Sequence, residues 1–301
     1  MISKNDAVKE AKDIVVKASP KFSFILQHIG SKDIRDDFLL VHAYLRCVDD
    51  VVDDPANPIS YKKQYIERQK KLIDEYKRNI KSEPLLKEEI FLYYFFEFAL
   101  KKNLKSLIES VSLMLETISW DVNRLESDGL YSRKQMNEYF SMQLKSTYGL
   151  LYYFIYNHDY NSSTHENFSM NYYANSHMLN LRDLKEDIEA GLINICREDI
   201  ENFSLDIENL LEDKNLGIWI KEQIDLIIQV LYSEIHKIKV LPLKIRILYF
   251  YFSVYYSPSI LRYKYYGYYV GSSDKRSFIK ELRTYWQSFI ISLKLLKRIY
   301  F

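Results

Sequence analysis

Residues that break helices are scarce in this chain, and this scarcity constrains its fold more than any other feature. The 301 residues include only 7 glycines and 6 prolines, and no proline lies within residues 85–241. Proline removes a backbone donor and interrupts a helix, whereas glycine supplies the positive φ angles that tight turns need. So few of them over such a length favours long helices joined by short connections.

Apolar residues recur at helical spacing along much of the chain. An i, i+4, i+7, i+8, i+11 pattern, typical of the buried face of a helix, links Leu107, Val111, Met114, Leu115 and Ile118. No alternation of apolar and polar residues persists long enough to predict a sheet. We predict helices over residues 6–17, 33–53, 60–80, 85–100, 102–124, 133–157, 164–190, 218–237, 243–256 and 274–298. The chain is therefore expected to form a single all-α domain over residues 1–301.

The charge and the cysteine content exclude several classes of protein. Lysine and arginine number 42 against 41 aspartates and glutamates, so the net charge of +1 argues against a nucleic-acid-binding surface. The two cysteines, Cys47 and Cys196, are too few for a disulfide framework or a zinc site, and they fit a reducing compartment. No Gly-rich phosphate loop is present, so bound phosphate would require metal ions, arginine, lysine or helix ends.

The N-terminus and the apolar segments predict a cytoplasmic protein. Residues 1–6 lead into a charged stretch and lack the apolar run of a secretory signal. No segment supplies about 18 apolar residues without charge, so we expect no transmembrane helix. Aromatic residues near the C-terminus, among them Tyr285 and Trp286, are compatible with peripheral association at a membrane surface. Helix packing is the commoner role of such residues.

Two acidic clusters, residues 46–54 and residues 180–187, have the same layout. Each contains a D-x-x-x-D pair, with Asp49 and Asp53 in the first cluster and Asp183 and Asp187 in the second. Residues four apart share a face of a helix, so each pair directs two carboxylates the same way. A single pair of this kind usually belongs to a solvated face. Two pairs interleaved with apolar residues are instead expected to be neutralised by a divalent metal.

An arginine precedes each pair, and hard oxygen ligands surround it. Arg46 and Arg182 lie just upstream of the pairs, Asp50 and Glu186 lie within them, and Asn180 shares a face with the second pair. Mg²⁺ prefers one or two carboxylates together with phosphate oxygens and water. Two such helices would hold several Mg²⁺ ions around a diphosphate and stabilise the charge that develops when it leaves. An allylic diphosphate would then ionise to a carbocation, which requires a dry, aromatic-lined cavity.

Both clusters resemble motifs of the squalene/phytoene synthase family of head-to-head prenyl transferases. Residues 43–53 resemble its R-x-x-D-D-x-x-D motif, and residues 181–187 resemble its R-D-x-x-E-D motif, in the same order and at a similar separation. Residues 19–24 are similar to the S-K-S-F start of the family, and weaker similarities lie at residues 120–122 and 138–149. The resemblance covers about residues 19–270.

The resemblance implies an isoprenoid-synthase helical bundle with a central active-site cavity. It implies that two or three Mg²⁺ ions are held by Asp49, Asp53, Asp183 and Asp187, and the adjacent Asp50 and Glu186 are further candidate ligands. It further implies contacts with the diphosphates from Arg46, Arg182 and Lys21, and Asn180, one position after the family's Asn, is a further candidate for substrate binding. The middle-helix tyrosine of the family, which moves a proton or steadies a cation, falls on Tyr139 or, with a slip of one residue, on Phe140. NADPH is compatible with this family but is not indicated by any motif.

Several positions depart from the family pattern and leave the product open. Ser176 and Leu179 stand where the family has Gln and Asn, the G-R-x-Y-x-P segment is replaced by residues 191–196, and His42 replaces a tyrosine. The leading hypothesis is the joining of two C15 or C20 allylic diphosphates through a cyclopropyl intermediate. A second hypothesis is a changed acceptor, as in an aromatic prenyltransferase or a terpene cyclase. A third is a non-catalytic relative that acts as an assembly factor.

Overall fold

The computed structural model describes residues 2–18, 32–80, 82–127, 129–156 and 169–233. All regular structure within these ranges is helical, which confirms the all-α prediction. Nine α-helices occur there: α1 (Lys4–Ala18), α2 (Lys32–Asp53), α3 (Ile59–Lys77), α4 (Lys87–Lys101), α5 (Lys105–Arg124), α6 (Arg133–Tyr156), α7 (Ser169–Glu189), α8 (Arg197–Phe203) and α9 (Lys214–Ser233). A 3₁₀ turn at Leu210–Glu212 precedes α9.

The predicted helices agree with the observed ones to within a few residues over α1 to α6. The short helix α8 was not predicted, because seven residues are too few for a periodic apolar pattern. Helix α9 begins four residues before its predicted start, since Asp213 accepts a hydrogen bond from the backbone amide of Asn215 at 2.8 Å and caps the helix. The helices predicted at 243–256 and 274–298 lie outside the described residues.

The chain divides into two compact units, and the division falls inside α6. The first unit comprises Met1–Ser127 and Ser141–Ser162, and the second comprises Asp128–Phe140 and Ser163–Phe301. Helices α1 to α5 belong to the first unit, and α7 to α9 belong to the second. The single domain over residues 1–301 stays a prediction.

Helix α2 is the central element of the first unit and packs against α1 and α4. Its apolar face carries Leu40, Tyr44 and Val48, each fully buried. Burial of a large apolar side chain contributes roughly 1.5–3 kcal/mol, so this face holds α2 in place. The next turn places the acidic pair at the end of a firmly packed helix.

Helix α7 packs against α9 in the second unit. Leu181 and Leu184 of α7 join Trp219, Ile220 and Ile224 of α9 in one buried cluster. These two leucines lie between the residues of the second acidic cluster in sequence. One face of α7 therefore serves the core, and the acidic face is turned away from it.

Candidate active site

The first acidic cluster occupies the last two turns of α2. Val48 and Val52 are buried in the core of the first unit, which leaves the aspartates at the border between core and solvent. The Asp49 side chain is 42% exposed, and that of Asp50 is 54% exposed. Proline residues 55 and 58 follow at once, so the helix ends directly after Asp53.

Arg46 partly neutralises this cluster. Its Nη1 lies 3.4 Å from Asp49 Oδ2, and its Nη2 donates to Asp50 Oδ1 in a close ion pair. These are i, i+3 and i, i+4 contacts, which the helix geometry supplies without help from the rest of the fold. The guanidinium is about half exposed and favours Asp50, so Asp49 receives only weak compensation.

The Asp49 carboxyl is electrostatically frustrated. Loss of solvation and the neighbouring Asp53 carboxylate raise the pKa of Asp49 to about 7, and Arg46 only partly opposes them. Burial likewise raises the pKa of Asp53, with Arg46 and Lys62 opposing the shift. A carboxylate pair that resists ionisation near neutral pH favours the approach of a cation. This is the electrostatic signature expected of a metal-binding pair.

Asp121 of α5 is a further acidic residue at this site that the sequence analysis did not select. It raises the pKa of Asp49, and its own carboxylate accepts a hydrogen bond from Arg124 Nη2 at 3.1 Å. The Arg124 side chain is almost fully buried. The only sequence signal was the weak similarity at residues 120–122, because the approach of α5 to α2 is a tertiary contact.

The second acidic cluster is compensated differently. Arg182 Nε donates to Asp183 Oδ1 at 2.6 Å, and Nη2 donates to Asp183 Oδ2, which makes a two-pronged ion pair between adjacent residues. Both side chains are more than a third exposed. Glu186 is exposed on the same helix. The predicted arginine and aspartate are therefore brought together, in a pair that solvent screens.

Asp187 is held by a residue that the sequence analysis noted only as a departure from the family. Asn194 Nδ2 donates to Asp187 Oδ2 at 2.6 Å. Helix α7 ends at Glu189, and Gly191, with a φ of 84°, closes a turn in which the Leu192 amide donates to the Asp187 carbonyl at 2.8 Å. This turn reverses the chain and returns Asn194 to the acidic helix.

Asn180 shares the face of α7 that carries Asp183 and Asp187, at spacings of three and seven residues. Its Nδ2 is buried and has no hydrogen-bond partner among the residues that the structure describes. Ser176, one turn earlier, is also buried. An amide donor without a partner on an acidic face favours an anionic or oxygen-rich ligand.

Both candidates for the middle-helix tyrosine are buried in the second unit. The Tyr139 ring lies 5.9 Å from the rings of Tyr131 and Phe140. Phe140 in turn lies 4.8 Å from His177 of α7, and burial lowers the pKa of His177 to about 4. Tyr139 thus sits in an aromatic group next to a neutral imidazole. The choice between Tyr139 and Phe140 stays open.

The predicted site residues are distributed over both units. Arg46 and the first aspartates lie in the first unit, whereas Tyr139, Asn180, Arg182 and the second aspartates lie in the second. Lys21 lies outside the described residues.

The donor set on α2 consists of carboxylate oxygens, a ligand type that Mg²⁺ accepts. Nowhere in residues 2–18, 32–80, 82–127, 129–156 and 169–233 do three or more His, Cys, Asp or Glu converge as a ready-made metal site. Mg²⁺ commonly uses one or two carboxylates and completes its shell with substrate phosphates and water. The frustrated pair on α2 has the right oxygen chemistry for such a site.

Comparison with known proteins identifies the fold. No protein-family model matches the chain, and no curated protein sequence matches it. Squalene synthase HpnC from Alicyclobacillus acidocaldarius superposes with a TM-score of 0.68 at 14% identity, covering 88% of this chain and 96% of that one. The chain has the fold of the squalene synthases.

A dehydrosqualene synthase solved in complex with a ligand gives a similar result. Its TM-score is 0.66 at 14% identity, and the match covers 97% of this chain and 98% of that one. The all-α squalene synthase fold that the two acidic motifs imply is thereby confirmed. In the part of the chain that the structure describes, no helix has the length and apolar character needed to cross a membrane.

Proposed function

We propose that this protein is a Mg²⁺-dependent prenyl transferase of the squalene/phytoene synthase type. It would ionise C15 or C20 allylic diphosphates and join two of them head to head. Three observations support this proposal: the squalene synthase fold, two acidic helices with matching layouts, and an arginine beside each of them. The observation that carries it is the Asp49–Asp53 pair, whose carboxyl groups resist ionisation without a cation.

The acidic residues of the two helices would hold the metal. On α2 these are Asp49, Asp50 and Asp53, and on α7 they are Asp183, Glu186 and Asp187. Bound Mg²⁺ supplies positive charge that neutralises a departing diphosphate. The Asn194 amide orients the Asp187 carboxylate, so that this side chain keeps a fixed direction before any metal arrives.

The arginines would exchange partners during binding. Arg46 and Arg182 are half exposed and already paired with carboxylates, so their guanidinium groups are near the surface on which a diphosphate would land. Charge-assisted contacts from arginine suit phosphate oxygens. Asn180 would donate its Nδ2–H, which has no partner among the described residues, to the same group, and Lys21 is proposed as a further contact.

Tyr139 is proposed to steady the carbocation or to shuttle a proton. The ring is buried beside Tyr131 and Phe140, and such an aromatic lining excludes water while its ring faces stabilise positive charge. Phe140 would stabilise a cation in the same way but has no proton to transfer. Tyr139→Phe therefore separates proton transfer from cation stabilisation.

The test is incubation of the purified protein with farnesyl or geranylgeranyl diphosphate and MgCl₂, followed by product mass and diphosphate release. A C30 or C40 hydrocarbon, or a cyclopropyl diphosphate, is the expected product, and NADPH is added in parallel because squalene formation requires a reductant. The proposal would be contradicted if neither substrate gave one of these products and neither released diphosphate in a Mg²⁺-dependent manner.

A second candidate keeps the ionisation and changes the acceptor. Asn194 donates a hydrogen bond to Asp187. It belongs to residues 191–196, the segment that replaces G-R-x-Y-x-P of the family. The group that positions substrate there is thus a short amide in place of a long guanidinium and a phenol. A cyclic C15 or C20 product, or turnover only with an added aromatic acceptor, would favour this candidate.

A further inference from the structure

A polar cavity of about 560 Å³ lies within the second unit. Its walls come from the start of α6, from α7, from α8 and from α9, and His177 marks the α7 side. On α7 the core leucines Leu181 and Leu184 follow His177 at four and seven residues, whereas Asp183 is turned about 120° away. The volume is within the usual range of small-molecule sites, roughly 300–1,000 Å³.

The charge of this cavity is negative. Its lining holds one cation, Arg133, and three carboxylates, on Asp199, Glu222 and Asp225. Arg133 is already committed, since its Nη2 lies 2.5 Å from Asp199 Oδ1. His177 contributes no charge at neutral pH, because burial lowers its pKa to about 4.

Two of these carboxylates remain available to a ligand. Glu222 and Asp225 are three residues apart on α9, so both point to the same side of the helix. Both are exposed, and neither forms an ion pair with any residue that the structure describes. Asp199 by contrast is occupied from two sides, since the indole Nε1 of Trp219 also donates to it at 3.2 Å.

The rest of the lining suits an amine. Side-chain amides surround the carboxylates and offer carbonyl acceptors, among them Asn137, Asn202 and Gln229. The rings of Trp219 and Phe203 provide apolar walls and faces that attract cations. An ammonium group has three donors and no acceptor, which complements acidic and carbonyl oxygens.

We propose that this cavity binds a small aliphatic di- or polyamine, with ammonium groups paired to Glu222 and Asp225. Asn194 lines the same cavity while its Nδ2 donates to Asp187. Its Oδ1 is buried without a hydrogen-bond partner among the described residues, so this amide has capacity for a second interaction. A ligand that contacts Asn194 Oδ1 would therefore bind the same amide that donates to Asp187.

The test is calorimetric titration of the full chain with spermidine at physiological salt, with glucose as a neutral polyhydroxy probe. Spermidine should bind and glucose should not. Glu222→Gln with Asp225→Asn should weaken spermidine binding by about tenfold or more, since each lost pairing is a charge-assisted contact. Glu201→Gln with Glu208→Gln removes the same charge from exposed positions outside the cavity and should leave binding unchanged.

Equal weakening by the two double variants would overturn the proposal, because it would indicate general electrostatic attraction. Binding of glucose alone, or no binding of spermidine to the wild-type chain, would overturn it as well. Hydrogen exchange of the wild-type chain gives a second measurement that requires no variant. Spermidine should protect amides of α8 and α9, and protection elsewhere would contradict the assignment. None of these results depends on prenyl transfer.

Discussion

Two carboxylates in the first unit, Glu89 of α4 and Asp49 of α2, have opposite electrostatic situations. The Glu89 side chain is fully buried, whereas that of Asp49 is 42% exposed. Burial raises the pKa of both groups. Yet the pKa of Glu89 ends below its ordinary value, and that of Asp49 rises to about 7. The degree of burial alone does not explain this difference.

The number and quality of hydrogen-bond donors explain it. Glu89 accepts from Arg68 Nε at 2.6 Å and Nη2 at 2.8 Å, and from Gln69 Nε2 at 3.1 Å. The amides of Leu85 and Leu86 also donate to it, at 2.7 and 3.2 Å. Asp49 has one long contact with Arg46 and acidic neighbours. The fold therefore satisfies the Glu89 carboxylate and leaves the Asp49 carboxylate weakly compensated.

The largest expected effect is on turnover. Asp49→Asn combined with Asp183→Asn should lower Mg²⁺-dependent release of diphosphate from farnesyl diphosphate by about 10³-fold or more, because it removes metal-binding charge from both helices. Asp74→Asn, an exposed position on α3, is the matched control and should retain activity. Activity of the double variant within tenfold of the wild type would refute the catalytic role, as would a biological function that survives without turnover.

The Glu89 carboxylate, which accepts several hydrogen bonds, should affect stability rather than turnover. Glu89→Ala leaves Arg68 and the buried Gln69 without their acceptor and removes a capping interaction of α4, so we expect a loss of about 3 kcal/mol. Urea unfolding followed by circular dichroism measures it. Glu83→Ala, an exposed position nearby, should cost less than about 0.5 kcal/mol. Similar losses of unfolding free energy for the two variants would show that the hydrogen bonds of Glu89 do not stabilise the fold.

The features that depend on neighbouring residues of one helix can be predicted from the sequence, whereas contacts between helices cannot. Asp49 and Asp53 could be predicted as a pair because i, i+4 spacing on a helix is a property of the chain itself. The helix that carries them could be predicted from its apolar spacing. Glu89 has no comparable signal in the sequence, since side chains of α3, about twenty residues earlier in the chain, supply three of its hydrogen bonds. Asp121 was missed for the same reason, whereas Asn194 was missed because it reaches Asp187 only through the turn at Gly191.

The raised pKa of Asp49 predicts a pH-dependent affinity for Mg²⁺. The metal binds the ionised pair, so it must displace a proton below pH 7. Affinity should rise about tenfold between pH 6 and pH 8 and level off above that. Calorimetric titration with MgCl₂ in the absence of substrate measures this. The slope should vanish in Asp49→Asn, and an unchanged slope in that variant would assign the titration to another group.

The smallest expected effect tests whether the ionised Asp49 carboxylate lowers the stability of the fold. Because the folded pKa of Asp49 lies above the unfolded value of 3.8, its ionised form destabilises the fold, and this penalty develops as pH rises from about 4 to 7. Asp49→Asn removes the penalty. After allowance for solvent screening of a side chain that is 42% exposed, the variant should be more stable by about 1 kcal/mol at pH 8 and no more stable near pH 4.

Asp183→Asn is the contrasting variant, because Arg182 already pairs with Asp183 through two contacts. It should gain no stability at pH 8, and a loss of a few tenths of a kcal/mol is expected from the broken surface pair. Thermal unfolding at pH 4 and pH 8 measures both variants under the same conditions. Equal behaviour of the two would mean that the acidic helices are compensated alike. An Asp49→Asn variant that is more stable but inactive would show that the Asp49 carboxylate destabilises the fold and is required for turnover.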